Sequence, residues 1–237
     1  MSNNGLSLEC LDKLRRFDTC TLSNAIERLN VRPRNEGFMV GTAHCQFPKL
    51  PPVVGYAVTG RIRSSMPPVD GRWYYEQIDW WRYLASVPEP RIVVMQDADR
   101  LPGSGALFGE VHARICRALG CVAYVTNGAV RDLPAVESMG FQVYAGGVAV
   151  SHAYAHVVEF GERVEIGGLR IASGDLLHGD LHGIQQIPRE IAADLPATAE
   201  RVLRQEEELF RMCNDKNFSV EMLAEWLAEG TTVKVER

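Results

Sequence analysis

The sequence has no Cys-x-x-Cys pair, no Gly-x-Ser-x-Gly elbow, no basic run longer than Arg15-Arg16, and no apolar run approaching a membrane span. Each absence removes a class of function. Six cysteines (Cys10, Cys20, Cys45, Cys116, Cys121, Cys213) without paired spacing, some inside apolar runs such as "CVAYVT", form neither a disulfide framework nor a zinc knuckle. Reduced thiols and a cytosolic setting are expected. The missing elbow, and the lack of any cysteine with a clear histidine partner, leave covalent catalysis unindicated. Lysine is scarce: Lys13, Lys49, Lys216 and Lys234 lie in helix, loop or terminal contexts, poor places for a buried Schiff base. The net charge of −5, with no basic cluster, argues against non-specific nucleic-acid binding. The start, "MSNNGLSLECLDKL", lacks the basic-then-apolar order of a signal peptide, and no stretch reaches the roughly 18 apolar residues of a membrane helix.

What is there suits a globular chain. Apolar residues make up 46% and charged residues 23% of 237, enough for a sizeable core, and one domain over residues 1–237 is expected. "LECLDKLRRF" spaces Leu8, Leu11, Leu14 and Phe17 along a helical face. "NAIERLN" reads as a short helix capped by Thr21 or Ser23, and the proline-bearing segment 32–52 reads as loop. "VVGYAVTGRI" predicts a strand, "SSMPPVDG" a turn, "DWWRYLASV" a helix and "RIVVM" a buried strand. After the glycine-bearing stretch "QDADRLPGSGALFGE", a helix with Val111, Ile115, Ala118 and Leu119 on its apolar face is expected to end at Gly120. "CVAYVT", "LPAVESM" and "FQVYA" then alternate strand, helix, strand, which makes the centre α/β. Short strands follow from residue 157, with "LLHGDLHG" read as a turn. Two helices close the chain, the second capped by Ser219 and stopped at Gly230.

Four constellations bear on chemistry. "GSGALFGE", residues 103–110, resembles a dinucleotide loop only in its glycines, since the spacing is GxGxxxG and Asn127 stands where a ribose-binding acid belongs. A helix starting near Gly109 would still aim free backbone N–H groups at an anion, although a plain glycine-rich turn explains the stretch as well. In "NGAVRDLPAVESMGF", Asp132 sits where an N-cap is expected, with Leu133 first in the helix, and Arg131 precedes it. Each residue alone needs only a structural role. Together they follow one of two successive strands whose helices are expected to open on one sheet edge, where α/β folds bind ligands. His152/His156 and His178/His182 share a His-x3-His spacing, but neither has the glutamate of a zinc-hydrolase helix, so structural histidines are expected.

"GYAVT", "FGEVHARICRALGCVAYVTNGAVRD", "GFQVYAGG" and "GDLLHGDLHGIQQIP" resemble the RraA-like family, which includes class II 4-hydroxy-4-methyl-2-oxoglutarate/4-carboxy-4-hydroxy-2-oxoadipate aldolases and oxaloacetate decarboxylases. The resemblance runs over residues 20–190, with a helical extension over 196–230. Its most specific element is an acid, twenty residues, then Arg-Asp: Glu110, then Arg131 and Asp132. The family's ribonuclease E inhibitors lack that spacing.

The resemblance implies a three-layer β/β/α sandwich like the swivelling phosphohistidine domain, with N- and C-terminal helices, assembled as a trimer or a dimer of trimers with sites between subunits. It implies a carbon–carbon lyase acting on a small 2-oxo acid through a pyruvate enolate. Asp132 would ligate Mg²⁺ or Mn²⁺, and Glu110 would hold waters around the ion. The backbone of Gly109, Glu110, Val111 and His112 would receive the substrate carboxylate, and Arg131 its keto oxygen. Arg131, Asp132 and Glu110 are thus the implied catalytic residues. His112 stands where the family commonly has an apolar residue, so its ring is also a candidate for substrate contact. "NGAVRD" replaces the family's frequent "DGAVRD", which removes one carboxylate. The other branch of the family implies a different role, a non-catalytic regulatory trimer binding a protein partner.

Overall fold

The computed structural model describes residues 5–69, 71 and 77–232. Helix α1 (Leu8–Leu14) starts at Ser7, whose hydroxyl accepts the Cys10 N–H, and buries Leu11 and Leu14. Helix α2 (Thr19–Leu29) begins earlier than expected because Asp18, rather than Thr21 or Ser23, caps it: Asp18 Oδ1 accepts the Thr21 N–H at 2.8 Å. Such a cap contributes about 1 kcal/mol. The segment expected to be loop contains strand β1 (His44–Cys45), which exists only because it pairs with a distant strand.

An alternating run follows: β2 (Val53–Arg63), α3 (Ile78–Ser86), β3 (Arg91–Asp97), α4 (Glu110–Ala118), β4 (Cys121–Val130), α5 (Leu133–Ser138) and β5 (Gln142–Val148). The expected turn between β2 and α3 lies within the described residues except for position 70. Strands β6 (His156–Phe160), β7 (Val164–Ile166), β8 (Leu169–Ile171), β9 (Leu176–Asp180) and β10 (Gly183–Ile187) come next, then α6 (Leu195–Cys213) and α7 (Val220–Thr232). Ser219 caps α7 as expected, its hydroxyl accepting the Met222 N–H, but the helix continues through Gly230.

The large sheet has the order β1-β5-β4-β3-β2-β9-β10. Strands β2 to β5 are parallel, and β2 is long enough to carry β9 and β6 end to end along its other side. Alternating side chains separate two cores, as the period of a strand requires. Val93, Met95, Tyr124 and Val143 face a layer built from helices α1 to α6. Ile92, Val94, Ala123 and Val125 face the opposite side, where the β7–β8 hairpin contributes Val164, Ile166, Leu169 and Ile171. The layering is β/β/α, as expected.

Two further expectations change. Helix α4 buries His112, Ala113 and Cys116, while Val111 is 58% exposed; its core-facing stripe is turned from the one its aliphatic residues suggest. The first half of "LLHGDLHG" is strand β9. Its Gly179 serves packing, since a Cβ there would meet Ile184 Cδ1 at 2.3 Å and Tyr144 Oη at 2.7 Å.

Strand β9 also carries His178, which ties α2 to the sheet. Its Nδ1 lies 3.1 Å from Thr19 Oγ1 and its Nε2 lies 3.1 Å from the Phe17 carbonyl, so the neutral ring accepts from the hydroxyl and donates to the carbonyl. Burial lowers the pKa of His178 to about 4 and that of His112 to about 3, against an ordinary 6.5. The unfolded chain therefore binds more protons than the folded one in this range. The stabilisation is complete above pH 6.5 and is lost as pH falls through 4 and 3. The thermal midpoint is expected to fall between roughly pH 7.5 and pH 4.5, and His112→Leu is expected to flatten that dependence in calorimetry across the same buffers.

Candidate active site

Strands β3 and β4 pair in parallel from Arg91↔Cys121 to Met95↔Thr126, so the loops leaving their C-terminal ends meet at one edge of the sheet. The contact is backbone to backbone. Phe108 bridges Val130 in the parallel sense, and the Arg131 N–H donates to the Phe108 carbonyl at 3.0 Å. This fastens the turn before α5 to the start of α4.

At that junction Asp132 adopts the left-handed conformation, φ 56° and ψ 34°, which aspartate tolerates better than most residues. Its carbonyl accepts the N–H groups of Ala135 and Val136, but its side chain makes no capping bond to α5. A side-chain cap requires extended backbone at that position. The carboxylate crosses instead to the neighbouring helix, where Oδ2 accepts the Glu110 N–H at 3.0 Å. Asp132 thus stands at the cap position of α5 while its side chain caps α4.

Arg131 Nε lies 3.4 Å from the same oxygen, and both side chains are partly exposed, Arg131 at 33% and Asp132 at 39%. Gly109 makes the approach possible. A Cβ there would stand 2.5 Å from Asp132 Oδ2 and 2.9 Å from Arg131 Cγ, too close for any side chain. Gly109, the Glu110 N–H, Arg131 and Asp132 therefore form one unit. The Glu110 carboxylate points along α4, where Oε1 accepts from Arg114 Nε at 2.9 Å and Nη2 at 2.6 Å. Val111 faces outward from the first turn.

The His112 ring is not in this unit. It is 1% exposed, with ring centroids 4.9 Å from Trp81, 5.7 Å from Phe108 and 6.2 Å from Tyr124. An aromatic core has taken the imidazole, so only its backbone belongs to the α4 N-terminus. Asn127 is structural as well. Its Oδ1 accepts the Asp97 N–H at 2.7 Å and its Nδ2 donates to the Asp97 carbonyl at 3.0 Å. An ionised aspartate there would lack the donor for the second bond.

Sequence patterns alone missed Asp97 and Asp99, which shape the loop beneath the site. Asp97, at the end of β3 and buried, accepts the N–H groups of Gly103 at 2.7 Å and Asp99 at 3.0 Å. Burial raises its pKa and these two bonds oppose the rise. Asp99 gathers the backbone N–H groups and the hydroxyls of Ser64 and Ser65, which hold its pKa down against the effect of burial. The available signal was the position of an acid at the C-terminal end of a buried parallel strand.

The donor set allows a restricted kind of metal. Among the described residues no group of three His, Cys, Asp or Glu side chains could cage an ion. His152 and His156 each bond through Nδ1 to a nearby backbone carbonyl, and His178 is spent on α2. A zinc-hydrolase centre does not fit. One exposed carboxylate, with Oδ2 engaged as described, fits a hard cation that keeps most of its waters, as Mg²⁺ does.

Comparison with known proteins agrees with this fold. The sequence model of a family described as RraA-like, Aldolase/RraA, matches residues 19–185. Over 85 residues the chain is 27% identical to a Halalkalibacterium halodurans protein named "Putative 4-hydroxy-4-methyl-2-oxoglutarate aldolase". That match spans 35% of this chain and 40% of the relative. Two crystal structures share the fold. An "uncharacterized protein" from Pseudomonas syringae pv. tomato superposes with a TM-score of 0.72 at 20% identity, covering 94% of this chain and 95% of its own. Streptomyces coelicolor RraAS2, "an unusual member of the RNase ES inhibitor RraA protein family", superposes with a TM-score of 0.67 at 22% identity, covering 87% and 98%.

Gly109→Ala is expected to push the Asp132 carboxylate off the Glu110 N–H and to cost about 1–3 kcal/mol, the usual range for overpacking. Urea denaturation measures it, with Gly147→Ala as a comparison because no atom lies within 4 Å of a Cβ there and its backbone is not left-handed.

Proposed function

The chain belongs to the RraA-like family, and from that membership and the geometry around Gly109 we propose that it is a divalent-metal-dependent lyase acting on a small 2-oxo acid. The reaction would be retro-aldol cleavage of a 4-hydroxy-2-oxo diacid, decarboxylation of oxaloacetate, or both. The observation that carries this reading is the convergence of Arg131, the Asp132 carboxylate and the N-terminus of α4 at one sheet edge.

Both reactions break a carbon–carbon bond next to a 2-oxo acid and leave the electron pair as a pyruvate enolate. The oxygen that becomes negative needs a positive group already in place. Arg131 would answer that need: its Nε lies 3.4 Å from Asp132 Oδ2, and its remaining N–H groups would donate to the keto oxygen. The α4 terminus receives the 2-oxo acid's carboxylate on its first-turn N–H groups, other than that of Glu110, which Asp132 already occupies. Asp132 would hold Mg²⁺ or Mn²⁺, which supplies Lewis-acid stabilisation of the enolate when bound. The Glu110 carboxylate, steadied by Arg114, would order water beside the ion and accept the C4 hydroxyl proton through it in the aldol case. Decarboxylation requires no such base. Glu110→Gln should therefore impair aldol cleavage more than decarboxylation.

Pyruvate release from oxaloacetate, measured with Mg²⁺, with Mn²⁺ and with EDTA, tests the reading. Asp132→Ala is expected to lose all activity above that of free metal. Arg131→Ala is expected to lose roughly 3 kcal/mol of transition-state stabilisation, or more than a hundredfold in kcat/KM, the scale for removing one oxyanion donor. Unchanged rates in both variants, or a wild-type rate no greater than free metal with both oxaloacetate and 4-hydroxy-2-oxo diacids, would refute the assignment.

A further inference from the structure

Helix α4 has two unlike faces. His112, Ala113 and Cys116 enter the core, while Glu110 and Arg114, about one turn apart, stay on the open side with side chains 39% and 64% exposed. Arg114 Nε and Nη2 both donate to a single oxygen, Glu110 Oε1, at 2.9 and 2.6 Å. Helical side chains lean toward the N-terminus, and this contact draws the guanidinium back beside the first turn. A guanidinium has five N–H donors, so three of those on Arg114 are not spent on Glu110.

We propose that Arg114 is a specificity-determining residue, which receives the second carboxylate of a 2-oxo diacid whose first carboxylate sits on the α4 N-terminus. This assignment rests on the lyase reading of the site and adds to it a residue that separates diacids from monoacids. Reach decides which cation can act. The carboxylates of a five-carbon diacid lie about 5 Å apart, so an acid held at the first turn of α4 meets only a cation beside that turn. Arg117, in the last turn, stands about 10 Å further along the helix axis. Charge points the same way. Asp132 lies against Arg131 and Glu110 against Arg114, so these two acids are matched before substrate arrives. The second carboxylate of a diacid then faces Glu110, and the two repel unless a cation bridges them. Arg114 bridges them, with Nε and Nη2 on Glu110 and its other N–H groups on the substrate. Its planar fork suits carboxylates, and an exposed ion pair contributes little to stability, so the guanidinium can turn toward a second partner at small cost. A monoacid gains nothing from the arrangement.

Calorimetric binding of 2-oxoglutarate and of 2-oxopentanoate to the full-length protein in Mg²⁺ tests the proposal. The two acids differ only in the terminal carboxylate, and neither has the C4 hydroxyl that cleavage needs. The wild type is expected to bind the diacid about tenfold more tightly or better, the scale of one hydrogen-bonded contact between charged groups. Arg114→Ala is expected to bring the two affinities together, and Arg114→Lys to keep part of the difference. Arg100→Ala, which removes an exposed cation from the preceding loop, is expected to keep all of it. Glu110→Gln separates recognition from support. The preference should hold or rise there because a repelling carboxylate is gone, whereas a residue that only steadied Glu110 would give the same loss in both variants. An undiminished preference in Arg114→Ala, an equal loss in Glu110→Gln, or equal affinities in the wild type would overturn the proposal and leave the lyase reading standing. Absence of binding by both acids in the wild type would instead remove the site, and both readings with it.

Discussion

A carboxylate shared between two strand–helix turns organises this molecule's candidate site. Asp132 leaves its own helix uncapped by its side chain and donates that capacity to α4, accepting the Glu110 N–H while keeping contact with Arg131. That exchange depends on a parallel β3–β4 pair with both exits at one edge, a left-handed aspartate, and a glycine at position 109 where no side chain fits. Each requirement is local. Their coincidence concentrates a guanidinium, a carboxylate and a helix N-terminus in one place.

The surroundings serve the same geometry. Asp97 and Asn127 lock the ends of β3 and β4 together, one by accepting loop N–H groups and the other by a reciprocal pair of bonds to the Asp97 backbone. A buried carboxylate is costly unless hydrogen-bonded, and Asp97 offsets that cost by ordering the loop that leads to α4. Below this layer, Phe108 stacks on Tyr124 with ring centroids 4.1 Å apart, and His112 completes the cluster. Rigid aromatic packing under the first turn of α4 holds its N-terminus in position while the rim stays open to water.

Much of the architecture was legible because strands and helices of the central run each carry a clear period or a clear stop. The alternation from "RIVVM" to "FQVYA", a helix starting just after Gly109 and the adjacency of Arg131 and Asp132 could all be read directly. The elements that escaped were those defined by partners. Strand β1 has two residues and no pattern; in "LLHGDLHG" Gly179 looks like part of a turn but answers to Tyr144 and Ile184; and α2 is capped by Asp18, one position before its first residue Thr19. Helix α4 shows the same limit, since the helical period permits several faces and the aromatic pocket chose the one bearing His112.

By itself the sequence determined the α/β class, the lack of paired cysteines and of a Gly-x-Ser-x-Gly elbow, and the adjacency of Arg131 and Asp132, because composition, period and chain adjacency are properties of the chain alone. Tertiary structure decided which N–H the Asp132 carboxylate takes, where the His112 ring goes, and that no side chain of residues 203–228 is buried. Those outcomes depend on distances between residues far apart in sequence, and such distances exist only once the sheet has brought its strand ends together.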